Sequence, residues 1–118
     1  MILGIGIDLV NLNRIKEIMS DRFIDRILSI EEKKVYTNIA ADSIKIAYLG
    51  SRFAAKEAIF KAIGQGPGKT NYVDFSILNH EDGSPYVQTD FFEGQEIIHV
   101  SITHTDEHAI AYVMIEKL

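Results

Sequence analysis

The sequence predicts an α+β fold, in which clustered helices, including one long helix, pack on a mostly antiparallel sheet within a single domain, residues 1–118. Three observations predict it. Apolar residues recur at helical spacing over much of residues 13–63, a stretch without proline. Beyond the loop at 64–69 the spacing changes to strict alternation, the period of a strand. Residues 2–10 alternate as well and offer the sheet one more strand, expected to pair with the C-terminal ones. A chain of 118 residues buries one modest core, and 47% hydrophobic with 25% charged residues is the composition of a folded globular domain.

Each element has a local reason. In the first strand Ile5, Ile7 and Leu9 alternate with Gly4, Gly6 and Asp8, so one face is apolar and the other small, then acidic. Glycine inside a strand marks close approach by a ligand or another backbone. Asp8 closes that thinned face, either as a functional carboxylate or as a cap for the next helix. Asn13 is a plausible N-cap for a short helix through Met19, and Phe23, Ile24, Ile27 and Leu28 give the following turns an inward face. Ser29 and Glu32 form a capping box for a helix running to about Asn38. Asp42 or Ser43 can cap the long helix that ends at Ile63; Gly50 inside it costs roughly 1 kcal/mol against alanine and points to tight packing. Residues 73–78 read as a strand, Asp82-Gly83 as a hairpin turn into Pro85-Tyr86-Val87, and 97–103 and 109–115 as two more strands joined by residues 105–108. Residues 90–96 are too polar and irregular to assign.

The long helix carries the chemistry. Its alanines and Ile59 and Ile63 form one broad arc, Phe53 and Phe60 lie elsewhere, and Glu57 and Lys61 fall in the narrow gaps between. Glu57 and Lys61, four apart, could be an ordinary helix ion pair worth about 0.2–0.5 kcal/mol. Alternatively they point into a site for a cation and an anionic group. The loop that follows favours the second: Gly64, Gly66 and Gly68, then Lys69, let backbone N–H groups approach a phosphate closely.

Charge supports an anionic ligand or acidic partner. The net charge is −5, yet residues 1–69 hold 11 Lys+Arg against 8 Asp+Glu, and residues 70–118 hold 1 against 9. An acidic chain is not expected to bind nucleic acid in bulk. Without cysteine there is neither disulfide nor thiolate chemistry. No signal peptide and no apolar run of membrane-spanning length is read, so a cytoplasmic, non-membrane protein is expected. Gly68-Lys69-Thr70 imitates the end of a P-loop, but Ile63 stands where the first glycine belongs, and the order helix, loop, strand is reversed. His104 and His108 are four apart on a strand and turn rather than on a helix, which disfavours a zinc site.

Three motifs in order carry a resemblance that spans nearly the whole chain. Gly4-Ile5-Gly6-Ile7-Asp8, then Arg52-Phe53-Ala54-Ala55-Lys56-Glu57-Ala58 with Lys61 and Gly64, then Val100-Ser101-Ile102-Thr103-His104 resemble the holo-[acyl-carrier-protein] synthases, the small bacterial type of 4'-phosphopantetheinyl transferase. The resemblance implies transfer of phosphopantetheine from coenzyme A to a serine of apo acyl carrier protein, releasing 3',5'-ADP, in support of fatty acid biosynthesis. It implies Mg2+ held by Asp8 and Glu57, with Lys61 on the phosphate oxygens as the third catalytic residue. Gly64 and Gly66 would line the pyrophosphate and pantetheine path, and Arg52 and His104 would contact the nucleotide end. The family is typically a homotrimer with its sites between protomers, so His104 could come from a neighbouring subunit. The serine proton leaves through Asp8 or through a water on the metal. Arg14 and Arg22 match the basic first-helix surface that docks the acidic carrier protein. Phe60 departs from the pattern, which commonly has a small hydroxyl residue before the lysine; no coenzyme A contact is carried over there. The same glycine loop would also serve a non-catalytic coenzyme A or nucleotide-phosphate binding module, and a structural oligomer would need these charges only as ion pairs.

Overall fold

The computed structural model describes residues 1–64 and 70–118. Strand β1 (Ile2–Asn11) is followed by helices α1 (Leu12–Ile18), α2 (Asp21–Ile27), α3 (Ile30–Thr37) and α4 (Asp42–Ile63). A 3-10 turn (Tyr72–Asp74) then leads to β2 (Phe75–Asn79), β3 (Pro85–Thr89), β4 (Glu96–His104) and β5 (His108–Lys117). The strands form two antiparallel sheets, one in the order β1-β5-β4 and the other the hairpin β2-β3. The hairpin turns where expected, with Gly83 in the left-handed region at φ 91° and Asp82 accepting from the Ser84 N–H.

Helix α4 is the spine. Ala54, Ala55, Ala58, Ile59 and Ala62 are buried on it, beneath Ala111, Val113 and Ile115 of β5. Its small residues let β1 approach without side chains between them. A Cβ on Gly4 would fall 2.0 Å from the Ala62 carbonyl oxygen, and one on Gly6 would fall 1.9 Å from that of Ala58. Gly50 has a similar reason, because a Cβ there would meet Leu12 Cδ2 of α1 at 2.4 Å. Gly64 ends the helix at φ 83° and donates its N–H to the Phe60 carbonyl.

Some local expectations change. The cap of α1 is Asn11, whose side chain accepts from the N–H groups of Asn13 and Arg14; neither Asn13 nor Asp8 caps it. Helix α4 begins after Ala41 without a side-chain cap, so neither Asp42 nor Ser43 caps it. The capping box of Ser29 and Glu32 forms as expected. The two faces of β1 assume roles opposite to the usual pattern: the glycines face the core, while Ile5, Ile7 and Leu9 are each about 60% exposed. They sit opposite Met114, Tyr112 and Ile110 in the β1–β5 register, giving an apolar outer sheet face. Phe91 and Phe92, in the unassigned stretch, pack on the core beside Phe75.

Candidate active site

The β1–α4 seam delivers the acidic groups to one place. Gly6 lies over Ala58, one turn before Ala62 under Gly4, so Asp8 extends the same register toward the turn that carries Glu57. Lys61 Nζ reaches across to β1, donating to Asp8 Oδ1 at 3.0 Å and to the Ile7 carbonyl at 2.9 Å. Glu57, half-buried, instead accepts at Oε1 from the Tyr72 hydroxyl at 2.6 Å. The helix ion pair between Glu57 and Lys61 is therefore replaced by two pairings that cross between elements. Burial, followed by the Glu57 hydrogen bond and charge and a smaller push from Asp8, drives the Tyr72 phenol up, so it remains a donor. The Arg26 guanidinium lies 5.7 Å from the centre of the same ring and opposes that shift. Asp8 thus pairs with Lys61 one turn before Gly64, and Glu57 stands one turn earlier on the same helix. Gly66 lies outside the described residues.

The donor set fits a hard divalent cation. Two carboxylates from different elements suit Mg2+, which is held by one or two carboxylates with water and substrate phosphates completing its shell. Among the described residues no group of three or more His, Cys, Asp or Glu gathers.

Arg52 and His104 stand elsewhere. Both line a cleft of about 700 Å3 with Tyr48, Asn79, Pro85 and Thr105, while Asp8, Glu57 and Lys61 are not part of its described lining. On the α4 wheel, Arg52 and Glu57 point about 140° apart. Arg52 is itself buried: its Nε donates to the Ile77 carbonyl, Nη2 to Asn79 Oδ1 at 2.6 Å, and the guanidinium stacks 3.9 Å from the Tyr48 ring centre. It ties α4 to β2 and edges the cleft from below. His104 is exposed at the end of β4.

A family model of the 4'-phosphopantetheinyl transferase superfamily matches residues 4–113. The chain belongs to that superfamily. A holo-[acyl-carrier-protein] synthase of Acholeplasma laidlawii is 46% identical over 98% of this chain and 98% of its own. Another, from a Geobacillus species, is 47% identical over 100% of this chain and 99% of its own. Among solved structures, a holo-(acyl-carrier-protein) synthase from Bacillus anthracis in complex with CoA (3',5'-ADP) superposes with a TM-score of 0.91, at 39% identity, covering 100% of this chain and 99% of that one.

Within this superfamily the chain has features that its sequence conceals. Phe60 turns away from the site: it is 3% exposed and meets Tyr72 edge-on at 5.0 Å. Tyr72 lies 15 residues from Glu57 and joins it only through the 3-10 turn, so no spacing signal could have found it. The pair Lys56–Glu32 also escaped notice; both side chains are fully buried, and Lys56 Nζ donates to Glu32 and to the Ile27 carbonyl. Arg14 and Arg22 are exposed on α1 and α2 as expected.

Proposed function

We infer that this chain is a holo-[acyl-carrier-protein] synthase, which moves the 4'-phosphopantetheine arm of coenzyme A to a serine of apo acyl carrier protein. The observation that carries this reading is the reach of Lys61 from α4 to Asp8 on β1, with Glu57 one turn before it on the same helix, in a chain of this superfamily. The serine oxygen attacks the phosphorus bearing the pantetheine arm. A phosphodiester forms, the bond to the bridging pyrophosphate oxygen breaks, and 3',5'-ADP departs. Such transfers depend on positioning and charge neutralisation more than on covalent help from the protein. Asp8 and Glu57 are the residues that would hold Mg2+, which supplies neutralisation of the phosphate oxygens when bound. Lys61, anchored on Asp8 and the Ile7 carbonyl, offers its remaining N–H to phosphate as a point charge. The serine proton leaves to Asp8 or to a water held at the cation. Among the described residues nothing lies within 4 Å of the place a Cβ on Gly64 would occupy.

The sites are shared between copies of the chain. Arg52 and His104 diverge from Asp8, Glu57 and Lys61 within one protomer, which favours a coenzyme A held across a subunit boundary. The outer sheet face of Ile5, Ile7, Leu9, Ile110 and Tyr112 supplies an apolar surface for that boundary, and a homotrimer uses it on every copy. Arg14 and Arg22 form the face that steers the acidic carrier protein, by an attraction that weakens with salt.

Intact mass spectrometry of apo carrier protein, after incubation with the chain, coenzyme A and Mg2+, tests the reaction. A gain of one phosphopantetheine arm, abolished by chelator, is expected. No gain on a carrier competent toward another transferase would reject the enzyme. Coenzyme A binding that persists in Asp8→Asn without any cation would then identify a binding module. Sedimentation of the purified chain tests the assembly, and a monomer that turns over at full rate would reject shared sites.

A further inference from the structure

We propose that Tyr72 is a positioning residue that presents Glu57 as a one-oxygen ligand and so tunes the site toward Mg2+ and against Ca2+. The inference rests on the reading of Asp8 and Glu57 as cation ligands. Its own observation is the 2.6 Å hydrogen bond from the Tyr72 hydroxyl to Glu57 Oε1, which takes up one lone pair of that oxygen and makes Oε2 the better donor to a cation.

The hydroxyl cannot readily swing aside. Tyr72 is 7% exposed, with its ring held between Phe53 at 5.8 Å and the edge of Phe60 at 5.0 Å, and Arg26 covers the ring. The backbone beneath it is fixed too, because Asp74 Oδ2 accepts from the Asn71 N–H at 2.7 Å and from the Thr70 hydroxyl at 2.9 Å. Phe60, buried and edge-on to Tyr72, supplies one wall of the slot that holds it.

The two cations differ in what they ask of a carboxylate. Mg2+ requires a compact octahedron and takes single oxygens, whereas Ca2+ accepts six to eight oxygens and readily takes both from one carboxylate. A hydrogen bond that occupies Oε1 therefore costs Ca2+ more than Mg2+. Partners of metal-ligating groups commonly alter metal affinity by about 10–100-fold when removed.

The test is displacement of Mn2+ from the chain saturated with coenzyme A, followed by electron paramagnetic resonance, with Mg2+ and Ca2+ as competitors. Tyr72→Phe keeps the ring packing and removes only the hydroxyl. The expected result is a rise of about tenfold in the strength of Ca2+ relative to Mg2+ as a competitor, with the thermal midpoint nearly unchanged. An unaltered ratio overturns the proposal, even if both affinities fall together, because a merely structural tyrosine would weaken both cations alike. Glu57→Gln separates this failure from that of the underlying reading. Loss of Mn2+ binding in that variant is expected, and its retention would show that Glu57 is not a ligand at all.

Discussion

Two lysines on α4, five residues apart, meet carboxylates in opposite ways. Lys56 is sealed in the core: its ammonium is shared by Glu32 and the Ile27 carbonyl, and Glu32 accepts in addition from the N–H groups of Ser29 and Ile77. Among the described residues no buried side-chain polar atom lacks a partner. Lys61 has a side chain 55% exposed, on an Asp8 that is 16% exposed. The first pair has no access to solvent, both side chains being 0% exposed, so it serves to hold α3, α4 and β2 together. The second retains donors and an open side, which a ligand needs. Identical chemistry thus becomes scaffold or site according to solvent access. Burial drags Lys56 down from its ordinary range and Glu32 pulls it back up, which makes the core pair the more fragile one when a partner is lost.

Breaking the core pair should have the largest effect. Glu32→Gln leaves the Lys56 charge buried without its counterion, at a cost of about 3–5 kcal/mol, visible as a fall of more than about 10 °C in the thermal midpoint. The deficit should shrink at alkaline pH. Without Glu32, burial lowers Lys56 further below 10.5, so over that window the folded state binds fewer protons than the unfolded state and stability rises with pH. Thermal midpoints of variant and parent, compared from about pH 7 to 10, check this; a constant gap would mean that Lys56 is not the source.

Breaking the open set should spare the fold and stop the reaction. Glu57→Gln is expected to lower turnover by about 10²–10³-fold, the worth of a few kcal/mol of phosphate charge stabilisation. Its thermal midpoint should stay within a few degrees of the parent's. Near-normal turnover would remove Glu57 from the chemistry.

The seam can be tested apart from both pairs. Gly6→Ala sets a Cβ against the Ala58 carbonyl, so β1 must shift, at about 1–3 kcal/mol by the usual cost of overpacking. Turnover should drop with stability, since Asp8 moves with its strand; a stable but inactive variant would separate the two. The smallest change belongs to the periphery. Arg14→Ala and Arg22→Ala should each raise KM for carrier protein several-fold, with kcat and coenzyme A binding unchanged, and the difference should fade at high salt. Equal KM values at low salt would take these residues out of the docking face.

Much of this was legible because it is local. The capping box, the long helix ending at Gly64, the hairpin turn and the four-residue offset of Glu57 and Lys61 all follow from spacing within a few residues, whereas Asp8, 53 residues from Lys61, joined them only through the family resemblance. The orientation of β1 was harder. Alternation shows that a strand has two faces, and an apolar face usually turns inward; here the glycines are inside because only they admit the α4 backbone, and the isoleucines are left outside. Partners distant in sequence left no signal. Glu32 lies 24 residues from Lys56 and Tyr72 lies 15 from Glu57. Arg52 reads as a nucleotide contact from its motif, yet its hydrogen bonds to β2 appear only once the hairpin folds back.

The contact of Gly4 and Gly6 with the carbonyls of α4 has a mechanical consequence. Elsewhere in a core, strand and helix are held apart by side chains that can change rotamer and let one element slide on the other. Here backbone bears directly on backbone, so the offset between β1 and α4 is set by covalent geometry. Strand and helix form one stiff strut, and the separation of Asp8 from Glu57 works as a gauge that thermal motion of side chains does not reset.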